Sequence, residues 1–212
     1  MTGALAIAAA ERSLHSAVAT ELEELAVRLR DVTVRLHTGG GRYDGVGAGV
    51  LWPAERGKGH FVVTNAHVLP PRRGDAAFVE HAGGEVIAAR VIARDRDHDL
   101  ALVALPDLPD GWPAPARPGN ARAMRVGEIV VALGHPFGVG GALSVGVVHA
   151  VPNADDALLA VDIRLAPGNS GGPLATLDGD VIGINCMIAR GLGIAIPSPA
   201  VARFVSEAIA ES

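Results

Sequence analysis

Cysteine, aromatic residues and positive charge are all scarce in this chain of 212 residues. The single cysteine, Cys186, excludes a framework of intrachain disulfides, and no cysteine–histidine cluster has the spacing of a zinc site. The glycines show no nucleotide-binding pattern either, so we expect no metal and no other cofactor. The 18 basic residues are outnumbered by 23 acidic ones, so no basic stripe is available for phosphates and we expect no nucleic acid partner.

Long hydrophobic runs are absent as well. No segment reaches the ~20 apolar residues that are needed to span a bilayer, so we expect no membrane span. The apolar run near the amino terminus, MTGALAIAAAERSLH, has no lysine or arginine before it, which is not the pattern of a secretory signal. We therefore expect a cytoplasmic protein. Its hydrophobic share of 49% is sufficient for a globular fold with a buried core.

Apolar periodicity predicts a helix at each end of the chain and strands between them. Apolar residues recur every three or four positions from about Ala10 to Arg30, which predicts an amphipathic helix. Ser198 as N-cap and Pro199 in the first turn predict a short carboxy-terminal helix. Strands are predicted in DVTVRLHT, GVGAGVLW, HFVVTNAHVL, GEVIAARVIARD, DLALVAL, GEIVVALG, GALSVGVVHAV, LLAVDIRL, GDVIGINCMIA and GLGIAIP.

A proline-rich stretch divides these strands into two blocks of about six. It contains five prolines between Pro106 and Pro118 and reads as a linker. No helical pattern separates successive strands, so an all-β fold of two barrels or sandwiches is favoured over a parallel α/β sheet. The predicted division is an N-terminal helix in 1–30, a first barrel in 31–108, the linker in 109–120, and a second barrel with the C-terminal helix in 121–212.

One serine lies in an unusual concentration of glycine and proline, the stretch APGNSGGPL that contains Ser170. A serine hydroxyl is a weak nucleophile at neutral pH unless a base takes its proton and an electropositive pocket receives the oxyanion. Gly168 can turn the chain so that its own N–H and that of Ser170 point the same way. The motif therefore predicts a nucleophile with an oxyanion hole formed by Gly168, Asn169 and Ser170.

Two further motifs supply a candidate base and a carboxylate to orient it. His67 follows the apolar strand of HFVVTNAHVLP, and Asp99 directly precedes the apolar strand of DRDHDLALVAL. An imidazole that acts as a base needs a carboxylate to fix its tautomer. Asp95 and Asp97 are spaced from Asp99 by two-residue steps, so they would lie on the same side of an extended chain, but neither directly precedes the apolar strand. The order His67, Asp99, Ser170 is one that serine protease triads use.

Together, TNAHVL, DLALV, ALGHPFG, APGNSGGPLATLDGDVIGIN and GLGIAIPS resemble the protease domain of trypsin-like serine proteases of the HtrA/Deg type. The resemblance extends from about Asp31 to the carboxy terminus. It implies a double β-barrel with a cleft between the barrels, His67 as general base, Asp99 as its orienter and Ser170 as nucleophile. It further implies a serine endopeptidase that cuts unfolded or extended polypeptides through an acyl-enzyme, with a role in protein quality control.

Some family features are not expected here. Residues 199–212 are too few for a PDZ module, so a protease domain alone is expected. Family trimers often stack amino-terminal aromatics, but the first aromatic residue here is Tyr43, so homo-oligomerisation stays open and a trimer is not supported. The neutral Asn169 needs no buried cation, so we expect no proteolytic activation. Two alternatives remain: a latent or non-cleaving polypeptide-binding module, and an esterase with the same triad.

Five residues are candidates for binding the substrate side chain, namely Arg164, Leu165, Leu192, Gly193 and Ile194. The resemblance assigns GLGIAIP to the strand that lines the cleft, and it puts Arg164 at the base of the first pocket, where a positive charge would favour acidic side chains. In the interpretation that we favour, Arg164 turns outward to Asp162 or solvent, because burying an unpaired guanidinium is costly. Leu165 and Leu192 then form an apolar pocket for small aliphatic side chains.

Overall fold

The computed structural model of the protein describes residues 2–38, 45–54, 59–69, 76–108, 112–135, 140–154 and 157–211. Tyr43 and residues 109–111 of the predicted linker lie outside these ranges. The helices are α1 (Thr2–Val32) and α2 (Ser198–Ala210). The strands are β1 (Thr33–Thr38), β2 (Gly45–Trp52), β3 (His60–Thr64), β4 (Ala76–Glu80), β5 (Val86–Asp95), β6 (Leu100–Leu105), β7 (Ile129–Gly134), β8 (Ala142–Ala150), β9 (Leu159–Asp162), β10 (Pro173–Thr176), β11 (Val181–Ala189) and β12 (Leu192–Pro197).

The strands form two closed antiparallel barrels of six strands each. Neighbouring strands follow the order β1-β2-β3-β6-β5-β4 in the first barrel and β10-β11-β12-β9-β8-β7 in the second. Closure leaves no unpaired sheet edge along most of each barrel, which is how short antiparallel strands avoid pairing with other chains. The architecture confirms the predicted all-β double barrel with a helix at each end.

Among the described residues, three of the four apolar clusters form the cores of the two barrels and the contact between them. Residues such as Leu36, Val62 and Val103 fill the first barrel, and residues such as Val130 and Leu159 fill the second. The third cluster lies between the barrels and under α2. It joins Val63 and Leu102 of the first barrel with Ile184 and Cys186 of β11 and with Val201 and Val205 of α2. Strand β11 is thereby fixed against the start of β6, where the candidate carboxylate is located.

Strands β4 and β10 are not among the strands predicted from the sequence. β4 is a five-residue segment, AAFVE, that carries only Ala77 and Val79 on its buried side. β10 begins with Pro173, directly after the glycine-rich turn, so the sequence pattern does not indicate a strand there. Proline is tolerated at the first residue of a strand because its missing N–H is not needed there.

Both helices differ in detail from the prediction. α1 begins at Thr2 instead of about Ala10 and ends at Val32, and its last turns bury Leu25 and Leu29 against the second barrel. In α2, Ser198 is the first helical residue and Pro197 precedes it as the N-cap residue, so the predicted serine cap is wrong. The Ser198 hydroxyl instead donates to the carbonyl of Gly119, 2.6 Å away, which ties α2 to the linker.

The linker is attached to both barrels. The Ala116 N–H donates to the Leu51 carbonyl of the first barrel, and the Val181 N–H of the second barrel donates to the Arg117 carbonyl, each at 2.8 Å. These bonds fix how the segment passes between the barrels. The domain limits given from the sequence stay a prediction.

Candidate active site

Asp99 and His67 form a two-point contact at one end of the first barrel. The His67 Nδ1 lies 2.7 Å from Asp99 Oδ2, and the His67 backbone N–H donates to Asp99 Oδ1 at 2.9 Å. Two bonds to one carboxylate fix both the ring and the backbone of the histidine. The imidazole side chain remains 51% exposed, so solvent reaches the ring.

The backbone of Asp99 is itself held in an uncommon conformation. Its φ of 54° lies in the left-handed region, which aspartate tolerates better than most residues. Its carbonyl accepts the Ala66 N–H at 3.2 Å and the Asn65 side-chain amide at 3.0 Å. The Asn65 amide is fully buried, so these bonds hold the strained turn rigidly. Sequence reasoning did not single out Asn65, although a polar residue at a strand end was visible there.

Ser170 follows a type II turn formed by Ala166, Pro167, Gly168 and Asn169. The turn type is defined by proline at the second position and by glycine, with φ of 103°, at the third. The turn is closed by a 3.0 Å hydrogen bond from the Asn169 N–H to the Ala166 carbonyl. The Asn169 N–H is therefore already used within the turn and cannot belong to an oxyanion hole. The Asn169 side chain is buried, only 3% exposed.

Two backbone donors beside Ser170 are unused. Within the ranges that the structure describes, neither the Gly168 N–H nor the Ser170 N–H has a protein acceptor. Neighbouring backbone N–H groups of a turn can bind an anion when no protein acceptor occupies them. The two unused donors belong to two of the three residues that the sequence predicted for the oxyanion hole, and the third, Asn169, has its N–H bonded within the turn.

The serine turn is attached directly to the first barrel. The Ala48 N–H donates to the Ser170 carbonyl at 2.9 Å, and the Thr64 hydroxyl donates to the Ala48 carbonyl at 2.7 Å. Gly171 has φ of 83°, and a Cβ on it would lie 2.0 Å from the Ala48 carbonyl oxygen. Only glycine permits this approach. The sequence motifs did not predict these contacts of Ala48 and Thr64, because they join segments far apart in the chain.

Cys186 links Ser170 to the histidine–aspartate pair. The Ser170 hydroxyl donates to the Cys186 carbonyl at 3.1 Å, and the Cys186 Sγ donates to Asp99 Oδ2 at 3.1 Å. No hydrogen bond joins Ser170 to His67, both of which are described. The three residues named from the sequence are thus connected across the junction of the barrels, with the serine hydroxyl turned to a strand carbonyl.

These contacts shift the pKa values of His67 and Asp99. The hydrogen bond to Asp99 raises the pKa of His67 above 6.5, although partial burial acts in the opposite direction. Burial would raise the pKa of Asp99, but the bonds from His67 and Cys186 outweigh it and hold that pKa below 3.8. Asp99 is therefore a carboxylate at neutral pH and favours the tautomer of His67 that carries its proton on Nδ1.

Cys186 is a buried thiol beside the Asp99 carboxylate. It is 4% exposed, and burial together with the neighbouring Asp99 carboxylate raises its pKa to about 12. Its bond to Asp99 was not predicted, since the two residues are 87 positions apart.

We predict that iodoacetamide does not label native Cys186 at about pH 8, where only about one thiol in ten thousand is ionised if its pKa is about 12. The same protein in concentrated urea should be labelled within minutes, because the thiol then regains its ordinary pKa. Intact mass measures both reactions. Equal labelling rates in the two conditions would contradict the buried placement of Cys186.

A cavity of about 280 Å³ adjoins Ser170 on the side of residues 165–170. Leu165, Met187 and Ile188 give it apolar walls. Gly193 lies behind Leu165, because a Cβ on it would lie 3.1 Å from Leu165 Cδ1. Of the five candidate substrate-binding residues, only Leu165 lines the cavity. Leu192 and Ile194 lie in β12 without lining it.

Arg164 is exposed and does not line this cavity. The outward orientation that we favoured is the one observed, because alternation along the chain places Leu165 inward and its neighbour outward. In the part of the chain that is described, Arg164 forms no ion pair with Asp162. The cavity wall therefore carries no arginine charge.

No metal or membrane feature accompanies this site in the described ranges. They contain no group of three or more histidine, cysteine, aspartate or glutamate residues that could hold a metal ion. Neither described helix is both long and apolar enough to cross a bilayer.

Two antiparallel barrels that bring a histidine–aspartate pair and a serine turn to their junction define the class of double-barrel serine peptidases. Comparison with known families agrees, since residues 47–184 match the trypsin-like peptidase domain. The chain belongs to the trypsin-like peptidase family. Its similarity to proteases of the HtrA and DegP type confirms the resemblance predicted from the sequence motifs.

Three relatives illustrate that similarity. The chain is 33% identical over 186 residues to the periplasmic serine endoprotease DegP of Escherichia coli K12. The aligned region covers 81% of this chain and 38% of DegP. It is 35% identical over 156 residues to serine protease HTRA1A of Danio rerio, and the aligned region covers 69% of this chain and 32% of that protein. It is 36% identical over 171 residues to serine protease HTRA4 of Mus musculus, and the aligned region covers 73% of this chain and 35% of that protein. The chain spans about a third of the length of these relatives.

Proposed function

We propose that the protein is a serine endopeptidase with Ser170 as nucleophile, His67 as general base and Asp99 as the residue that orients His67. One observation carries the proposal. Ser170 adjoins two unused N–H donors and is connected through Cys186 to the carboxylate that holds His67. An isolated turn serine has no need for either feature. Membership of a peptidase family supports the same conclusion.

The proposed reaction starts when a substrate carbonyl enters the position beside the Gly168 and Ser170 N–H groups. The Ser170 oxygen bonds to the carbonyl carbon while its proton passes to His67 Nε2. The N–H donors stabilise the resulting oxyanion, and Asp99 stabilises the imidazolium. The C–N bond then breaks, the leaving amine takes the proton from His67, and an acyl-enzyme remains. Water then passes a proton to His67 while its oxygen bonds to the acyl carbon. The C–O bond to Ser170 breaks, the Ser170 oxygen takes the proton back from His67, and the acid leaves.

The hydroxyl orientation adds one step before attack. In the free protein the Ser170 hydroxyl donates to the Cys186 carbonyl, so it must rotate about its Cα–Cβ bond toward His67. Such a rotation between staggered rotamers is fast and inexpensive. The latent or non-cleaving alternative is not favoured, because the relatives are named as proteases.

The substrate is proposed to be an extended polypeptide whose side chain before the scissile bond is small and aliphatic. β10 pairs with β11 only through Ile184, so the strand edge that faces Ser170 has no partner strand from Cys186 onward in the described residues. An extended chain can add to such an edge through backbone hydrogen bonds. The apolar walls formed by Leu165, Met187 and Ile188 suit an aliphatic side chain.

A quenched-fluorescence peptide library tests this proposal. We expect cleavage after valine, alanine or leucine and none after aspartate or glutamate, with no cleavage by Ser170→Ala protein. Arg164→Ala protein should give the unchanged profile, because Arg164 is outside the cavity. Hydrolysis of aliphatic esters without any peptide cleavage would support the esterase alternative, and no turnover of either class would refute the proposal.

The pH dependence gives a further prediction. His67 must be neutral to accept a proton, and Asp99 raises its pKa, so activity should be lost as pH falls through a value above 6.5. A plot of kcat/KM against pH should therefore rise through an apparent pKa above 6.5. An apparent pKa well below 6.5 would show that the Asp99 contact does not govern the base.

A further inference from the structure

Asn65 is a fully buried polar residue at the start of a short 3-10 helix, Ala66–Val68, which directly follows β3. It occupies the N-cap position of that helix. Asparagine at an N-cap usually accepts a hydrogen bond from the helix backbone through its side chain. Among the described residues, the Asn65 side chain accepts no such bond. Helix capping therefore does not explain why this amide is buried here.

The Asn65 side chain binds the main chain of Asp99 instead. Its Nδ2 donates to the Asp99 carbonyl at 3.0 Å, and the Ala66 N–H donates to the same oxygen at 3.2 Å. Asp99 has φ of 54°, a conformation that persists in a residue other than glycine only where the surroundings hold it. Because the carbonyl and the carboxylate belong to one residue, fixing the carbonyl restricts the directions that the carboxylate can take.

The direction of that carboxylate decides how His67 is held. The two carboxylate oxygens of Asp99 bind the backbone N–H and the ring of His67, at 2.9 Å and 2.7 Å. A hydrogen bond weakens steeply when its angle is altered, so a small rotation of the carboxylate loosens the ring. Asn65 is two positions before His67 in the chain. One short segment therefore carries both the base and the amide that holds the orienting residue.

The residue before Asn65 connects the same segment to the serine turn. The Thr64 hydroxyl donates to the Ala48 carbonyl at 2.7 Å, and the Ala48 N–H donates to the Ser170 carbonyl at 2.9 Å. Thr64 and Asn65 are both fully buried. The end of β3 thus supports the backbone of two candidate catalytic residues, Asp99 through Asn65 and Ser170 through Thr64.

We propose that Asn65 is a positioning residue of the peptidase reaction, whose amide holds the Asp99 backbone so that the carboxylate stays aligned with His67. This inference rests on the proposed function and adds a residue that sequence reasoning did not assign to it. Asn65 is fully buried and does not line the cavity beside Ser170, so it acts through Asp99 and not on the substrate.

Steady-state kinetics of Asn65→Ala protein test the role. Misplacing a catalytic group by about 1 Å costs about a hundredfold in rate, so we expect kcat to fall by about ten- to a hundredfold while KM changes little. Asn65→Leu protein should show the same loss, because its branched side chain fills the space but has no donor. In both variants the Asp99 carbonyl still accepts the Ala66 N–H, so the fold should persist.

The pH dependence distinguishes a positioning role from a purely structural one. Asp99, at the start of β6, is the charged group that raises the pKa of His67. The titratable group that binds Asp99 from β11 is Cys186, whose pKa of about 12 keeps its thiol protonated. Without the Asn65 amide the bond between Asp99 and His67 weakens, so the apparent pKa in kcat/KM should fall toward 6.5.

Ser198→Ala is the matched control. It removes another fully buried side-chain donor to a backbone carbonyl, that of Gly119, which ties α2 to the linker. This variant should unfold at a lower temperature than the wild type but keep its kcat and its apparent pKa. A fall in kcat without any change in apparent pKa in the Asn65 variants would indicate a structural role and would overturn the inference.

An NMR titration separates this inference from the peptidase proposal. In Ser170→Ala protein the ring signals of His67 report its pKa without any turnover, and adding Asn65→Ala or Asn65→Leu should lower that pKa. If wild-type protein cleaves no peptide but the Asn65 variants lower the pKa of His67, the positioning role stands and the peptidase proposal fails. An unchanged pKa of His67 in a folded Asn65 variant would remove the role whatever the cleavage result.

Discussion

Replacing Ser170 with alanine should lower kcat by roughly 10⁵- to 10⁶-fold, which is the scale on which loss of a serine nucleophile acts in comparable proteases. The physical reason is that no acyl-enzyme can form without the hydroxyl, while the N–H donors of Gly168 and Ser170 stay in place. Steady-state cleavage of a valine-P1 peptide measures the effect. The fold should persist, because the hydroxyl makes one side-chain bond, to the Cys186 carbonyl.

Ser144→Ala is the matched control for that variant. Ser144 lies in β8 and has no part in the site, so kcat should be unchanged. Thermal unfolding temperatures close to that of the wild type for both variants would show that a loss of activity comes from the missing hydroxyl and not from a damaged fold. Cleavage by Ser170→Ala protein above about one part in a thousand of the wild-type rate would mean that another group performs the reaction.

Replacing Asp99 with asparagine should lower kcat by about 10⁴-fold at neutral pH, as the same change does in a protease triad. Asparagine keeps an acceptor for the His67 backbone N–H and tolerates the φ of 54°, so the turn should survive. Its amide cannot stabilise the imidazolium, and it favours the wrong tautomer of the ring. Measured kcat should therefore fall far more than KM changes.

Asp95→Asn is the informative comparison, because Asp95 was a competing candidate from the sequence. Its carboxylate binds the His98 ring and the N–H groups of Asp97 and His98 and does not contact His67. We expect less than about a tenfold change in kcat. If Asp95→Asn were as damaging as Asp99→Asn, the orienting role would have to be reassigned.

The three candidate catalytic residues could be predicted because each belongs to a local motif at the end of an apolar strand. Their supporting contacts could not. Cys186 contacts Asp99 from 87 positions away, and the Asn65 amide contacts the Asp99 carbonyl from 34 positions away. Such contacts depend on how two closed barrels meet, and strand periodicity contains no information on that.

The limits of the pattern-based fold prediction have similar causes. β10 follows the glycine turn and begins with proline, so its strand character comes from pairing with β7 and β11 and not from propensity. Ser198 satisfies the rule for a helix cap, yet a nearby linker carbonyl, that of Gly119, accepts its hydroxyl. In both cases tertiary contacts decide between local options that the sequence leaves nearly equal.

Labelling with a fluorophosphonate probe tests the central claim most directly, since it requires a nucleophile, a base and an oxyanion position together. Intact mass and peptide mapping should locate one adduct, on Ser170, and His67→Ala protein should not form it. Folded wild-type protein that gains no adduct at any pH from about 6 to 9, or gains it on another residue, would contradict a serine nucleophile activated by His67.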